Sequence, residues 1–260
     1  MSQATMLLLE QNLRTLKLPA VLKEYARLAR EASSGNRGYE DYLEKLTELE
    51  VSQRASNAIT NRIRAADFPV LKDLESFDFT LTPSLNKQKV LELARGEWIR
   101  EHYNCCLIGN SGTGKTHLAI ALGQAACRHG RHVRFHTAAS LVNQLEEAQK
   151  QYRLEKFLGA LERVDLLIVD ELGYLSLSAS GAELLFQVFA ERYERASILI
   201  TSNLPFGEWG GVFKSERLTA ALLDRLTHRC HILECNGESY RFRQSSKPAK
   251  TKDAKELTKA

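Results

Sequence analysis

Gly109-Asn-Ser-Gly-Thr-Gly-Lys115-Thr116 decides the fold, because glycine, lysine and threonine stand at the spacing that a phosphate-cradling loop requires. With ordinary residue usage a chain of this length meets that pattern by accident in roughly one case in a hundred. The flanks agree with it. Asn104-Cys-Cys-Leu-Ile108 is an apolar run of strand length, and Thr116 to Ala126 has the composition of the helix that should follow. Gly109, Gly112 and Gly114 let backbone N–H groups turn inward around phosphate oxygens, with Asn110, Ser111 and Thr113 completing the loop. The helix N-terminus adds partial positive charge. Lys115 is expected on the β- and γ-phosphates of a nucleoside triphosphate, and the Thr116 hydroxyl on Mg²⁺.

A second stretch supplies the carboxylates. Val164-Asp-Leu-Leu-Ile-Val-Asp170-Glu171 is a hydrophobic strand ending in two acidic residues. Beside the loop, Asp170 would hold Mg²⁺, and Glu171 would orient and polarise the water that attacks the γ-phosphate. A nucleotide kinase, which must exclude water, has less use for that second carboxylate. Ile198-Leu-Ile-Thr-Ser-Asn203 is a third buried strand with a polar end. Lying between the two nucleotide strands, it would bring the Asn203 amide to the same water, where it can donate and accept. Leu222-Leu-Asp-Arg225-Leu-Thr-His-Arg229 is expected to put two arginines at i and i+4 on one helical face. Either guanidinium could spread positive charge over a transferring phosphoryl group in a neighbouring subunit.

The rest of the chain gives the frame. Its 260 residues, 43% hydrophobic and 26% charged, have room for one large domain with a small companion, and a net charge of +4 permits a nucleic-acid partner without demanding one. Five cysteines form no even framework, so a secreted disulfide scaffold is excluded, and His228, Cys230, His231 and Cys235 match no usual zinc spacing. The Met6–Leu9 apolar run is cut by Glu10 and reads as no signal peptide. No apolar stretch approaches the roughly 20 residues that span a bilayer. A cytoplasmic protein with no membrane partner is expected.

Residues 1–66 read as a helical N-terminal domain, with Leu7, Leu8 and Leu16 on the apolar side of its first helix and Pro19 opening its second. Residues 67–83 read as an extended linker, followed by one helix from Pro83 or Ser84 to about His102. Strands are expected at 104–108, 132–136, 165–169, 197–201 and 230–234, with helices between them. That is an α/β fold, a five-stranded parallel sheet between helices, over residues 84–244. Residues 245–260 are a lysine-rich polar tail expected to be disordered.

Together, Gly109–Thr116, Leu166–Glu171, Ile198–Asn203 and Asp224–Arg229 resemble the AAA+ P-loop ATPases of the DnaA/DnaC branch. The stretches Leu16-Lys-Leu-Pro, Phe77-Asp-Phe79, Asp165 to Tyr174, Thr201-Ser-Asn-Leu-Pro205 and Leu226 to Glu234 narrow the resemblance. They point to the IstB-like helper ATPases of insertion-sequence transposition. The resemblance implies a homo-oligomer that assembles with ATP on duplex DNA, remodels it, and recruits and stimulates a transposase. It assigns nucleotide to Lys115 and Thr116, Mg²⁺ and hydrolysis to Asp170 and Glu171, and sensing to Asn203. Arg225 and Arg229 fall on the segment that carries the trans-acting arginine. After Arg229 about 15 ordered residues are expected, too few for the C-terminal lid of most AAA+ proteins, though Arg241 or Arg243 could replace its sensor.

Three basic groups are candidates for DNA. Lys150, Arg153, Lys156 and Arg163 lie in the segment 138–162 and just after it, long enough for two helices; Arg54, Arg62 and Arg64 lie near the end of the long N-terminal helix; the third is the lysine tail. No interleaving of aromatic with basic residues is evident, which favours backbone contact with duplex over stacking on single strands. The alternative reading is a DnaC-like replicative helicase loader using the same ATPase core.

Overall fold

The structure, a computed structural model, describes residues 3–174, 176–237 and 239–240. The chain divides into two compact units, residues 1–61 and residues 62–260.

The first unit contains α1 (Gln3–Thr15), α2 (Pro19–Ser34) and most of α3 (Tyr39–Ala66), which continues across the boundary. Leu13, Val21, Leu28 and Leu46 form its small core, with Leu9, Leu18, Leu22, Tyr25 and Tyr42 packed around them. Leu7, Leu8 and Leu16, expected on the apolar side of α1, are exposed. Four consecutive apolar residues at 6–9 leave the helical phase open, and Leu9 and Leu13, one turn apart, are the pair that packs. Helix α2 starts at Pro19 as its sequence predicts, but Leu18 offers no side-chain cap. Glu50 of α3 replaces it, accepting the N–H groups of Ala20 at 2.9 Å and Val21 at 3.3 Å.

In the second unit, residues 67–83 form no α-helix or strand, and Phe68, Leu74, Phe77 and Phe79 of this segment pack on the core. Asp78 accepts the N–H of Thr80 and caps a short 3₁₀ turn over Phe79–Leu81. The single helix expected to run to about His102 is two, α4 (Lys87–Leu93) and α5 (Glu97–Arg100). Asn86 caps the first, and Gly96 takes a left-handed conformation that ends one and starts the other.

From there strand and helix alternate: β1 (Asn104–Ile108), α6 (Lys115–Arg128), β2 (Val133–Thr137), α7 (Ala138–Lys150), α8 (Leu154–Glu162), β3 (Leu166–Leu172), α9 (Ala179–Arg192), β4 (Ser197–Ser202), α10 (Trp209–Phe213), α11 (Glu216–Thr227) and β5 (Cys230–Glu234). The sheet has five strands in the order β2-β3-β4-β1-β5, all parallel. Alternation along the central strands feeds two cores. Leu166 and Ile168 join Cys105, Leu107 and Leu199 on the face covered by α6, whereas Leu167 and Val169 join Ile198 and Ile200 against α7, α9 and α11. After β1 the chain crosses past β4 and β3 to reach β2, so a topological switch point opens at the C-terminal ends of β1 and β4.

Candidate active site

The loop between β1 and α6 sits at that switch point. Gly114 is the left-handed N-cap of α6 at φ +89°, and a Cβ there would come within 2.7 Å of Phe77. At Gly109, φ +153°, a Cβ would lie 2.2 Å from the Cys235 carbonyl oxygen, so neither position admits a side chain. The Thr113 hydroxyl donates to the Asn110 carbonyl at 2.8 Å, and Lys115 Nζ donates to the carbonyls of Gly109 and Asn110 at 2.7 Å each. The lysine is thereby held inside the curve of the loop.

Asp170 lies at the centre of a hydroxyl network. The Thr116 hydroxyl is 3.0 Å from both carboxylate oxygens, and the Thr201 hydroxyl donates to Oδ1 at 2.5 Å. Thr201 in turn accepts the backbone N–H of Glu171 at 2.9 Å. Only 3% of Asp170 is exposed. Burial raises its pKa above the ordinary aspartate range and the nearby Glu171 charge adds to this, while the bonds from Thr201 and Thr116 and the charge of Lys115 oppose it. A desolvated carboxylate beside a hydroxyl is a hard-oxygen donor set, which suits Mg²⁺.

Glu171 departs from its strand. The pairing of β3 with β4 shifts register between Val169 and Leu172, and Glu171 takes φ +61° at that bulge. Its side chain is exposed and lines the cavity beside the loop, while Leu172 returns to the core. A left-handed glutamate costs of order 1–2 kcal/mol, a strain found preferentially where function requires the geometry. Asn203, just beyond β4, lines the same cavity, and its Oδ1 is buried without a hydrogen-bond partner. The cavity measures about 410 Å³; Ser111 to Thr116, Glu171 and Asn203 line its polar side, and Val70, Phe77, Leu81 and Ile120 give an apolar wall. Gly109, Asn110 and Asp170 are not part of this lining.

Two contributors are ones that sequence reasoning missed. Thr201 is 1% exposed and links Asp170 to Glu171; a hydroxyl directly after the apolar run Ile198-Leu-Ile200 was the available signal. Tyr174 hydrogen-bonds Ser111 of the loop, hydroxyl to hydroxyl, at 2.7 Å. Nothing in the local sequence marks that pair.

The two arginines do not enter this cavity. Helix α11 ends at Thr227, so Arg225 and Arg229 do not share one helical face, which corrects that expectation. Arg225 lies over the Phe186 ring at 5.1 Å and Arg229 over Tyr103 at 5.7 Å, both at the end of the sheet where strands begin. Among the described residues neither pairs with Asp224 or Glu216.

Of the basic candidates, Lys150, Arg153 and Lys156 are all exposed around the α7–α8 turn, and among the described residues no ion pair joins them to the interspersed glutamates. Between Lys150 and Arg153 stands Tyr152, 99% exposed at φ +56°. One exposed aromatic thus stands among the three cations, fewer than the run of aromatics on which successive single-stranded bases stack. Arg54 is committed elsewhere, bonding Glu50 at 3.0 Å and the Lys17 carbonyl at 2.6 Å. The lysine tail, Arg241 and Arg243 lie outside the described residues. Among the described residues no helix is long and apolar enough to cross a membrane.

Comparison with known proteins agrees with this architecture. A family model described as IstB-like ATP binding protein matches residues 11–248. The chain is 40% identical over 229 residues to a protein named as an ATP-binding protein of insertion sequence IS5376 from Geobacillus stearothermophilus, covering 88% of this chain and 91% of that one. It is 37% identical over 239 residues to one so named for insertion sequence IS21 of Pseudomonas aeruginosa, covering 92% and 90%. Among solved structures, AMPPCP-bound DnaA from Aquifex aeolicus matches with a TM-score of 0.55 and 25% identity, over 68% of this chain and 54% of that one. The chain thus spans about half the length of that DnaA. The structure of DnaI shares the fold, with a TM-score of 0.52 and 17% identity, over 65% of this chain and 89% of that one.

Proposed function

The chain belongs to the IstB-like ATP-binding family, and from that premise we propose that it is an AAA+ ATPase serving insertion-sequence transposition. It binds ATP between copies assembled on duplex DNA, remodels that DNA, and recruits and stimulates a transposase. The observation that carries this reading is the hydroxyl network joining Thr116, Asp170, Thr201 and the Glu171 backbone beside the phosphate loop.

The loop N–H groups and Lys115 hold the β- and γ-phosphates, with Lys115 exchanging its carbonyl partners for phosphate oxygens. Thr116 and Asp170 would hold Mg²⁺, which when bound neutralises phosphate charge. Glu171, carried out of the strand by its bulge, orients the attacking water and accepts its proton as the oxygen bonds to the γ-phosphorus and ADP leaves. The unsatisfied Asn203 Oδ1 accepts a second hydrogen bond from that water. Thr201 positions both carboxylates by bonding one side chain and the other's backbone. Arg225 or Arg229 acts in a neighbour's cavity, because its own chain holds it at the opposite end of the sheet. Lys150, Tyr152, Arg153 and Lys156 contact the duplex from the α7–α8 turn.

The variant Glu171→Gln is expected to keep ATP affinity, lose steady-state hydrolysis by about a hundredfold or more, and remain trapped as an oligomer on duplex DNA. Electron microscopy of that variant with ATP and duplex reads the assembly directly. Wild-type turnover in Glu171→Gln removes the glutamate from its role. Capture of a replicative helicase in preference to an insertion-sequence transposase would instead favour the helicase-loader reading.

A further inference from the structure

The sheet end remote from the nucleotide cavity carries a second concavity, of about 110 Å³, with a different chemistry. Four connections that lead into strands each supply it with one arginine: Arg100 before β1, Arg131 before β2, Arg163 before β3 and Arg195 before β4. In a parallel sheet all strands begin at the same end, so topology alone gathers these four from separate parts of the sequence. Arg100, Arg163 and Arg195 are exposed and Arg131 is half-buried.

Among the described residues none of the four forms an ion pair or a side-chain hydrogen bond. Arg192, close by, shows what a structural arginine does here. It is buried and donates to the carbonyls of Leu161, Val164 and Ser197, each at 2.9 Å. The four lining arginines are not spent in that way. Glu162 and Asp165 share the wall, and one Asp165 oxygen already accepts the His132 N–H at 2.7 Å. Four guanidiniums against two carboxylates leave a net positive concavity that favours an anion.

We propose that this concavity binds a phosphodiester group of a nucleic-acid backbone. The two non-bridging oxygens of a backbone phosphate meet a planar guanidinium fork bidentately, and a nucleic-acid backbone repeats such groups at close intervals, so neighbouring arginines can each engage one. The volume is ample for one such tetrahedral group. This surface is separate from the α7–α8 turn, although Arg163 belongs to the same basic stretch of sequence. That duplex DNA is the bearer of the phosphate rests on the function proposed above.

The test is a fluorescence-anisotropy titration of the full chain with a labelled duplex across a salt series, with ATP binding measured separately. The triple variant Arg100→Ala, Arg163→Ala, Arg195→Ala is expected to bind duplex at least about tenfold more weakly. Its slope of log affinity against log salt should fall by about one for each phosphate no longer neutralised. ATP affinity should not change. Replacing the same three by lysine should restore most of the salt slope, which separates removal of charge from a disturbed fold. A triple alanine variant with wild-type affinity and slope overturns the inference, as does one in which only self-association changes, which would mark the surface as an interface between copies. Failure of the wild type itself to bind duplex would defeat both this inference and the DNA-binding part of the proposed function. Unchanged duplex binding by the variant defeats this inference alone.

Discussion

Thr201 is the side chain on which the two carboxylates of the site depend. Replacing it by valine removes the donor to Asp170 and strands the Glu171 N–H, at a cost of about 1–3 kcal/mol for a buried unsatisfied group. Thr201→Val is expected to lower steady-state hydrolysis at least about tenfold while ATP affinity stays within a few-fold, with Thr201→Ser restoring most of the rate. A valine variant that hydrolyses normally would show that the network positions nothing. The loop residues and Asp170 were legible in the sequence because their spacing and their place after apolar runs are local properties. Thr201 was not, since its role comes from strand register between residues about thirty apart. Tyr152 was missed for another reason: its exposure follows from a left-handed turn between two helices that periodicity cannot locate.

At the scale of elements, the strands were legible to within a residue or so except β3, which runs three residues past its expected end at 169 because Asp170 still pairs with Thr137 and, beyond the bulge at Glu171, Leu172 pairs with Ser202. The helix expected up to about His102 failed where Gly96 turns left-handed. Strand β2 carries a pH dependence of its own. His136 is buried, and desolvation, with Arg134 adding to it, lowers its pKa to about 4 from an ordinary 6.5. The fold therefore favours the neutral ring and the unfolded chain takes up the extra proton. That contribution to stability is complete above pH 6.5 and is lost as pH falls through about 4. Integrated, the shift is on the order of 3 kcal/mol, and His136→Gln should flatten the acid limb of a urea-denaturation series between neutral pH and 4. An unchanged limb would place the acid sensitivity elsewhere. In the first unit, Glu50→Ala should free the α2 N-terminus at a cost of about 1–2 kcal/mol, seen as faster hydrogen exchange at Ala20 and Val21 with the sheet amides unaffected. Equal protection in wild type and variant would deny Glu50 the capping role.

The second unit places its nucleotide cavity at one end of a parallel sheet and Arg225 and Arg229 at the other. In the function proposed above, an arginine at one end serving a neighbour's cavity at the other would join copies head to tail, an arrangement that closes into rings or continues as a helix. That sidedness could not be read from the sequence, because it needs the strand order β2-β3-β4-β1-β5, in which chain neighbours are separated and distant segments meet. The central claim is simpler: the cavity bounded by Ser111–Thr116, Glu171 and Asn203 takes ATP with magnesium. Isothermal titration of the purified chain with ATP and Mg²⁺, beside the Lys115→Ala variant, tests it most directly. Saturable binding by the wild type that the variant loses is the result expected. An absence of binding by the wild type, or undiminished binding by Lys115→Ala, would contradict the account.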